Sequence, residues 1–414
     1  MPTGIIGRSN SNHIFFSQGE APYRDNKGHL VITHSPDIPF EYSAALWAMI
    51  NLEMNEALNR KNFQIVMLNI NPNDLSQELY KQYQKSPSGL YAPAYIWDQK
   101  HDDGEVEYYT ENEAADAEHI YLVGPLEYPI DYIRALTSAD HFKERLNAKV
   151  VTLVATSLGS NRSDKNVDSK GNYVPKGITI ETMMELLAGK MDRIIALEPH
   201  SSLAQYYSET YRTPFLPLSP WESLITQMCL KEGFASMTRK GKLFINPEEV
   251  IVVGPDAGRN WAAKKIAEYY SLAYVSGEKK RVNDGEVIIV FKPEDIELIK
   301  KRDKAFGYDD EIATGGTGKI LGRALRSCGI NNFYLAGVHA KLVGNWQENI
   351  GDPSLTRLYL TNSRKPIGKI QGEISEKIHL VSIAPLIADL IESDVKGIDF
   401  WHDPKYSGMI LQQK

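Results

Sequence analysis

Short runs of β-branched and apolar residues alternate along this chain with longer stretches of helical spacing, and this alternation constrains its fold more than any other feature. The runs are FQIVMLN (63–69), HIYLV (119–123), KVVTLVAT (149–156), DRIIALE (192–198), EVIVVG (249–254), EVIIVF (286–291), NFYLAGV (332–338) and KIHLVSI (377–383). Near-continuous apolar runs mark strands covered on both faces, and strands separated by helix-length segments need crossover connections. The pattern therefore predicts parallel sheets with helices on both sides. Eight runs exceed one compact doubly wound sheet, so two α/β units are expected, meeting near the Pro-rich YRTPFLPLSPW (211–221). Residues 1–35 carry Gly, Ser, Asn and Pro with little periodicity, whereas residues 40–60 place Ala44, Trp47, Ala48, Leu52 and Leu58 at helical spacing. The expected division is an N-terminal extension with a loop-rich lead-in and one amphipathic helix (1–62), a first α/β domain (63–215) and a second (216–414).

Composition narrows the function. With 42% hydrophobic and 24% charged residues the chain of 414 residues is a folded globular protein. Its 53 acids outnumber 46 bases, giving −7, and no block of five like charges occurs. Nucleic-acid binding as the main activity needs a concentrated basic face and is not expected. Cys229 and Cys328 are far apart in sequence and are the only cysteines, so neither a disulfide framework nor a cysteine metal site is expected. The opening MPTGIIGRSNSN lacks a basic region leading into an apolar run, and no segment approaches the ~18 apolar residues of a membrane span. The expected location is cytoplasmic, away from membranes.

In open α/β sheets ligands sit beyond the carboxyl ends of the strands. The most informative segment of that kind is FGYDDEIATGGTGKILGRAL (306–325). Asp309 and Asp310 close an apolar run, Thr314, Gly315, Gly316 and Thr317 form a turn, and a helical pattern follows at once. Consecutive glycines leave backbone N–H groups uncovered, and a helix N-terminus adds positive potential. Such a turn either cradles a phosphate, with the paired carboxylates holding ribose hydroxyls or Mg²⁺, or simply joins a strand to a helix.

The segment resembles the ribose 5-phosphate loop of ribose-phosphate pyrophosphokinase, also called phosphoribosyl pyrophosphate synthetase, within the type I phosphoribosyltransferase fold. Alone it suits a phosphoribosyltransferase equally. Other stretches, in the same order as in the synthetase family, extend the resemblance over residues 64–395. VVGPDAG (252–258) resembles a strand end S-P-D-x-G, which implies a metal-binding role for Asp256. IIALEPH (194–200) resembles a strand ending in D-L-H, whose His contacts Mg²⁺-ATP, so His200 is implied as a metal-binding and catalytic residue. Glu198 and Pro199 depart from that pattern. TSLGSNRSDK (156–165) occupies the place of P-Y-x-x-Y-A-R-Q-D; Arg162, Asp164 and Lys165 match, with Arg162 and Asp164 implied as ATP-binding residues, and Ser163 replaces Gln. SGEKKRVN (276–283) resembles the family's mobile catalytic loop and implies catalytic roles for Lys279 and Arg281.

NINPNDL (69–75) resembles the family's opening G-N-x-N-P-x-L. Asp103, Gly104 and Glu105 resemble a hairpin that supplies an adenine pocket to a neighbouring subunit, with His101 standing for Phe. Asp103 and Glu105 are thereby implied as ATP-binding residues. VHAKLVG (338–344) and LTNS (360–363) resemble two late strand ends, and His339 is expected to be structural.

The resemblance implies two tandem type I phosphoribosyltransferase-like domains with parallel sheets, behind an N-terminal helical extension. It implies Mg²⁺-dependent transfer of the β,γ-diphosphate of ATP to ribose 5-phosphate or to a compound containing it, such as ADP-ribose, in nucleotide or NAD synthesis. A homo-oligomer is implied as well. Two other readings stay open: a non-catalytic regulatory homologue, and a phosphoribosyltransferase without an ATP requirement. Ala313, where the family commonly has Asp, Ser163, the charged stretch 300–303 before Asp309, where a longer apolar strand is usual, and the unmatched residues 1–62 bear on which acceptor is used.

Overall fold

The structure is a computed structural model that describes residues 5–7, 13–17, 23–24, 30–33, 63–67, 94–110, 118–159, 172–175, 177–238, 243–254, 260–282, 286–398, 400, 406 and 409–410. The chain forms two compact units, Met1–Ser219 together with Ile387–Lys414, and Pro220–Leu386. The helix expected over residues 40–60 and the 69–75 stretch lie outside the described residues.

The N-terminal extension holds strands where a loop was expected. Strands β1 (Ile5–Gly7), β2 (His13–Ser17), β3 (Tyr23–Arg24) and β4 (Leu30–Thr33) form a small sheet in the order β1-β2-β4-β3. Runs this short, set among glycines, show no periodicity that a sequence window can detect.

The main sheet of the first unit joins β5 (Phe63–Met67), β6 (Ala94–Lys100), β7 (Val106–Thr110), β8 (His119–Leu126), β9 (Val150–Leu158), β10 (Arg193–Leu197) and β11 (Phe215–Leu218) in the order β11-β10-β9-β8-β5-β6-β7. All pairings are parallel except β6 with β7. Helices α1 (Pro129–Asp140), α2 (Thr179–Ala188) and α3 (Leu203–Thr210) supply the crossovers. Pro129 opens α1 at a position where no N–H is needed, and the Asp131 carboxylate accepts the N–H groups of Glu127 and Tyr128 at 3.0 and 2.9 Å. One face of the sheet, with Ile120, Leu122, Val151, Leu153, Ile194 and Ala196, packs with Met184, Leu187 and Phe142 in a continuous core. The Pro-rich 211–221 segment contributes β11, an edge strand paired with β10 along Ile194–Phe215 and Ala196–Pro217. Pro217 lacks a ladder donor, and the outer edge is where such a residue fits.

The second unit begins with α4 (Trp221–Lys231) and a small hairpin of β12 (Ala235–Met237) and β13 (Leu243–Ile245). Its sheet contains β14 (Val250–Gly254), which precedes α5 (Asn260–Tyr270), and β15 (Ala273–Ser276). Next come β16 (Glu278–Val282), β17 (Glu286–Val290), α6 (Pro293–Ile299), β18 (Lys304–Ile312), α7 (Gly316–Ser327), β19 (Asn332–Ala340), α8 (Trp346–Gly351), β20 (Arg357–Thr361) and β21 (Ile378–Val381); the last helix, α9 (Ala384–Val395), belongs to the first unit from Ile387 onward. The sheet order is β15-β14-β18-β19-β20-β21, parallel throughout. Val250 and Val252 point into one core with Ile225 and Ile266, while Ile251 and Val253 point into another with Leu321 and Leu325. Burial on both faces is why these strands read as unbroken apolar runs.

Two local expectations are corrected. The 286–291 run is not a strand of the parallel sheet: β17 pairs antiparallel with β16 as a separate two-stranded hairpin. Ile289 is buried, but Ile288 is 37% exposed, so the strand has one wet face. The second correction concerns the charged stretch 300–303, which does not shorten the strand before Asp309. It ends α6 and the following turn, and nine-residue β18 starts at Lys304 and runs between β14 and β19. Lys304 stays at the rim, 3.2 Å from Glu249, while Ala305 and Phe306 are fully buried.

Candidate functional site

The segment following β18 turns into α7 within three residues. Gly315 caps the helix at φ 71°, ψ 2°, a left-handed conformation that favours glycine. A side chain there would also meet Ile350 Cγ1 at 3.0 Å. The Gly316 N–H donates to Thr314 Oγ1 at 3.3 Å, and the Lys319 N–H donates to Gly315 O at 3.1 Å as the first helical bond. The first turn of α7 contains no acidic residue. Carboxylates are the usual partners of that positive helix end, so their absence leaves the potential for an anion. Gly315→Ala is expected to lower the stability of the second unit by about 1–2 kcal/mol from the left-handed backbone alone. Thermal unfolding reads this, and an unchanged melting temperature would mean that the turn takes another path.

Lys279 and Arg281 lie on β16, not in a loop, and occupy alternate positions of the strand, so they share one face of the hairpin. They stand opposite Ile289 and Val287. Gly277 lets this hairpin close up, because a Cβ there would sit 2.4 Å from Ile289 Cγ2. Lys279 Nζ donates to Thr317 Oγ1 at 3.3 Å, which brings the predicted catalytic cation onto the first turn of α7. The hairpin thus joins two sequence motifs separated by 38 positions.

Asp309 and Asp310 end β18 at the same rim. Asp309 Oδ1 accepts the Asp310 N–H at 3.0 Å, and Asp310 is buried. Ala313 is half-buried, and its carbonyl accepts the Val343 N–H at 2.8 Å. His339 is buried at the end of β19 with Nδ1 3.0 Å from Ser363 Oγ, and Thr361 Oγ1 donates to Val338 O at 2.7 Å, so these groups tie β19 to β20.

Sequence reading missed the residues that brace the turn. Asn349 on α8 donates from Nδ2 to Thr314 O at 2.9 Å and accepts from Lys319 Nζ at 3.2 Å. Lys319 also reaches Glu348 at 2.8 Å, and that hydrogen bond holds the Glu348 carboxyl below its usual pKa. No motif flags Asn349, because its partner lies 35 positions away.

The remaining predicted residues belong to the first unit or lie outside the described residues. His200 is exposed just beyond the carboxyl end of β10. It follows Glu198, which is fully buried at φ 41° and accepts a hydrogen bond from Ser219. A left-handed non-glycine residue costs on the order of 1–3 kcal/mol and is retained only where its surroundings hold it, here two residues before His200. Asp103 and Glu105 sit in the exposed turn between β6 and β7, where Gly104 has φ 95° and the Glu105 N–H donates to Asp103 Oδ1 at 2.9 Å. The Asp103 carboxylate therefore shapes its own turn. Arg162, Ser163, Asp164, Lys165 and Asp256 lie outside the described residues.

Among the described residues no group of three or more His, Cys, Asp or Glu is placed to hold a metal ion, and no helix is long and apolar enough to cross a membrane.

No protein-family model matches the chain. The chain is 27% identical over 300 residues to "Ribose-phosphate pyrophosphokinase" of Staphylococcus aureus, covering 70% of this chain and 82% of that protein. It is 24% identical over 294 residues to "Ribose-phosphate pyrophosphokinase 1" of Lactococcus lactis, with the same coverage. A crystal structure of phosphoribosylpyrophosphate synthetase from Mycobacterium smegmatis superimposes with a TM-score of 0.62 at 19% identity, covering 81% of this chain and all of the other. At that identity the superposition speaks for the fold.

Proposed function

We propose, from the premise that this chain is a divergent member of the ribose-phosphate pyrophosphokinase family and a diphosphokinase-type transferase, that it moves the β,γ-diphosphate of ATP to the 1-hydroxyl of a ribose 5-phosphate compound. The acceptor is ribose 5-phosphate or a molecule that contains it, such as ADP-ribose, and the product serves nucleotide or NAD synthesis. The observation that carries this reading is Lys279 Nζ at 3.3 Å from Thr317 Oγ1, on a helix N-terminus without acidic residues. A diphosphate donor and a sugar phosphate both bring negative charge, and the arrangement concentrates positive potential where one anion would meet the other.

In this mechanism the acceptor's 1-hydroxyl oxygen attacks the β-phosphorus of ATP. A bond forms between that oxygen and the β-phosphorus, the bond from the β-phosphorus to the oxygen bridging to the α-phosphorus breaks, and AMP leaves with that electron pair. The hydroxyl proton passes to solvent. Positioning and charge neutralisation carry such phosphoryl chemistry. The backbone N–H groups from Gly315 to Thr317 and the Thr314 and Thr317 hydroxyls hold the acceptor's 5-phosphate, and Asp309 and Asp310 are the residues assigned to its ribose. Lys279 and Arg281 neutralise the charge that develops on the transferred group.

The carboxylate oxygens at the end of β18, beside a phosphate cradle, are the hard donors that Mg²⁺ takes in ones and twos together with phosphate oxygens. Bound with ATP, Mg²⁺ would neutralise negative charge on the triphosphate and so lower the repulsion that the incoming oxygen meets. His200 and Asp256 are the residues assigned to hold it, and Arg162, Asp164, Asp103 and Glu105 are assigned to ATP. A homo-oligomer, in which the hairpin carrying Asp103 reaches a neighbouring copy, belongs to the same proposal.

The test is AMP release from ATP with Mg²⁺, measured with ribose 5-phosphate and with ADP-ribose. Release that requires one of them identifies the acceptor. Silence with both removes the enzymatic reading in favour of a regulatory homologue, and consumption of a base that requires phosphoribosyl pyrophosphate, releases pyrophosphate and needs no ATP would identify a phosphoribosyltransferase.

A further inference from the structure

We infer that Asn349 is a positioning residue that sets the orientation of the Thr314–Gly315 peptide and thereby the direction in which the turn presents its N–H groups. The inference rests on the reading that this turn takes the acceptor's 5-phosphate. Within a planar trans peptide, the C=O and the following N–H point in opposite directions. Asn349 Nδ2 holds Thr314 O at 2.9 Å, so the Gly315 N–H points away from α8. Were that peptide to flip, its carbonyl oxygen would replace the N–H and repel a bound phosphate. Glycine at 315 makes such a flip sterically accessible, so something other than backbone sterics has to prevent it.

The same side chain is anchored from its other end. Asn349 Oδ1 accepts from Lys319 Nζ at 3.2 Å, which fixes which amide atom faces Thr314. Asn349 therefore links the residue that enters the turn to a residue in the first turn of the helix that leaves it. Packing keeps it close: a Cβ on Gly315 would stand 3.6 Å from Asn349 Cβ, and one on Gly316 3.8 Å from Asn349 Nδ2.

The test uses the full chain and two substitutions that separate the amide's two jobs. Asn349→Asp keeps an acceptor for Lys319 but sets a carboxylate oxygen against the Thr314 carbonyl, whereas Lys319→Met removes only the far anchor. Ribose 5-phosphate binding is measured by calorimetry, and amide hydrogen exchange is followed over residues 314–319 with β19 as the internal reference. Asn349→Asp is expected to weaken ribose 5-phosphate binding about tenfold, the worth of one ordinary hydrogen bond, and to accelerate exchange in the turn but not in β19. Lys319→Met is expected to do less of both. A purely structural role would move β19 exchange with the turn and overturns the inference, as does an Asn349→Asp chain whose turn exchange matches wild type. Should Asn349→Asp fail to fold, Asn349→Ala is read by the same two measurements. If wild type binds no ribose 5-phosphate while turn exchange still responds to Asn349→Asp, the acceptor assignment falls and the positioning role stands.

Discussion

Asp394→Ala is expected to destabilise the first unit by about 3–5 kcal/mol, because it strands a buried guanidinium without its counter-ion. Arg193 and Asp394 are both fully buried. Arg193 Nη1 and Nη2 donate to the two carboxylate oxygens at 2.9 and 2.5 Å, and Tyr121 Oη donates to the same carboxylate at 2.6 Å. Arg193 Nε and Nη2 also reach Thr152 Oγ1 at 3.1 and 2.9 Å. The parallel register sets Tyr121 beside Thr152 and Thr152 beside Arg193, so three neighbouring strands line these groups up on one face. His119 Nε2 lies 2.9 Å from Thr152 Oγ1, and burial followed by the Arg193 charge pushes its pKa well down, which keeps it neutral beside the cation. Urea unfolding followed on the first unit measures the loss. The double variant Arg193→Met with Asp394→Leu is expected to recover most of it, since apolar side chains of similar size need no compensation. An Asp394→Ala loss below about 1 kcal/mol, the range of exposed pairs, would show that the pair is solvated.

Lys279→Ala is expected to lower kcat for AMP release by about 10²–10³-fold, the usual effect of removing one preorganised donor from a developing charge. The acceptor's KM should change far less, because the turn proposed to hold the 5-phosphate keeps its backbone donors. Arg281→Ala should behave alike, since both residues project from the same face of β16. Neither side chain belongs to a core, so the melting temperature should not move and the loss can be read as chemistry. Wild-type turnover in Lys279→Ala would remove the hairpin from the mechanism and leave the turn as a binding site only.

The fold class was legible because its signal is local. Buried parallel strands such as Val250–Gly254 and Asn332–Ala340 are apolar on both faces, and a window of a few residues reveals that. The turn before α7 was legible for the same reason: two glycines between a strand and a helical pattern state their geometry without reference to the rest of the chain. The 286–291 run misled because a continuous apolar run does not say whether its partner is parallel or antiparallel, or which sheet it joins. The charged residues before β18 misled in the opposite direction, since they cap the strand's entrance and never enter the sheet.

By itself, the sequence determined the alternation of strands and helices, the Gly-Gly turn at 314–317 between a strand and a helix, and the same-side projection of Lys279 and Arg281 once they are placed on a strand. Tertiary structure alone decided that Lys279 meets Thr317, that Asn349 turns the Thr314 carbonyl, and that Arg193 finds its counter-ion 201 positions later on α9. Periodicity and turn chemistry act over a few residues, whereas the choice of partner for a buried charge depends on which surfaces dock, and docking is settled by the burial of whole faces.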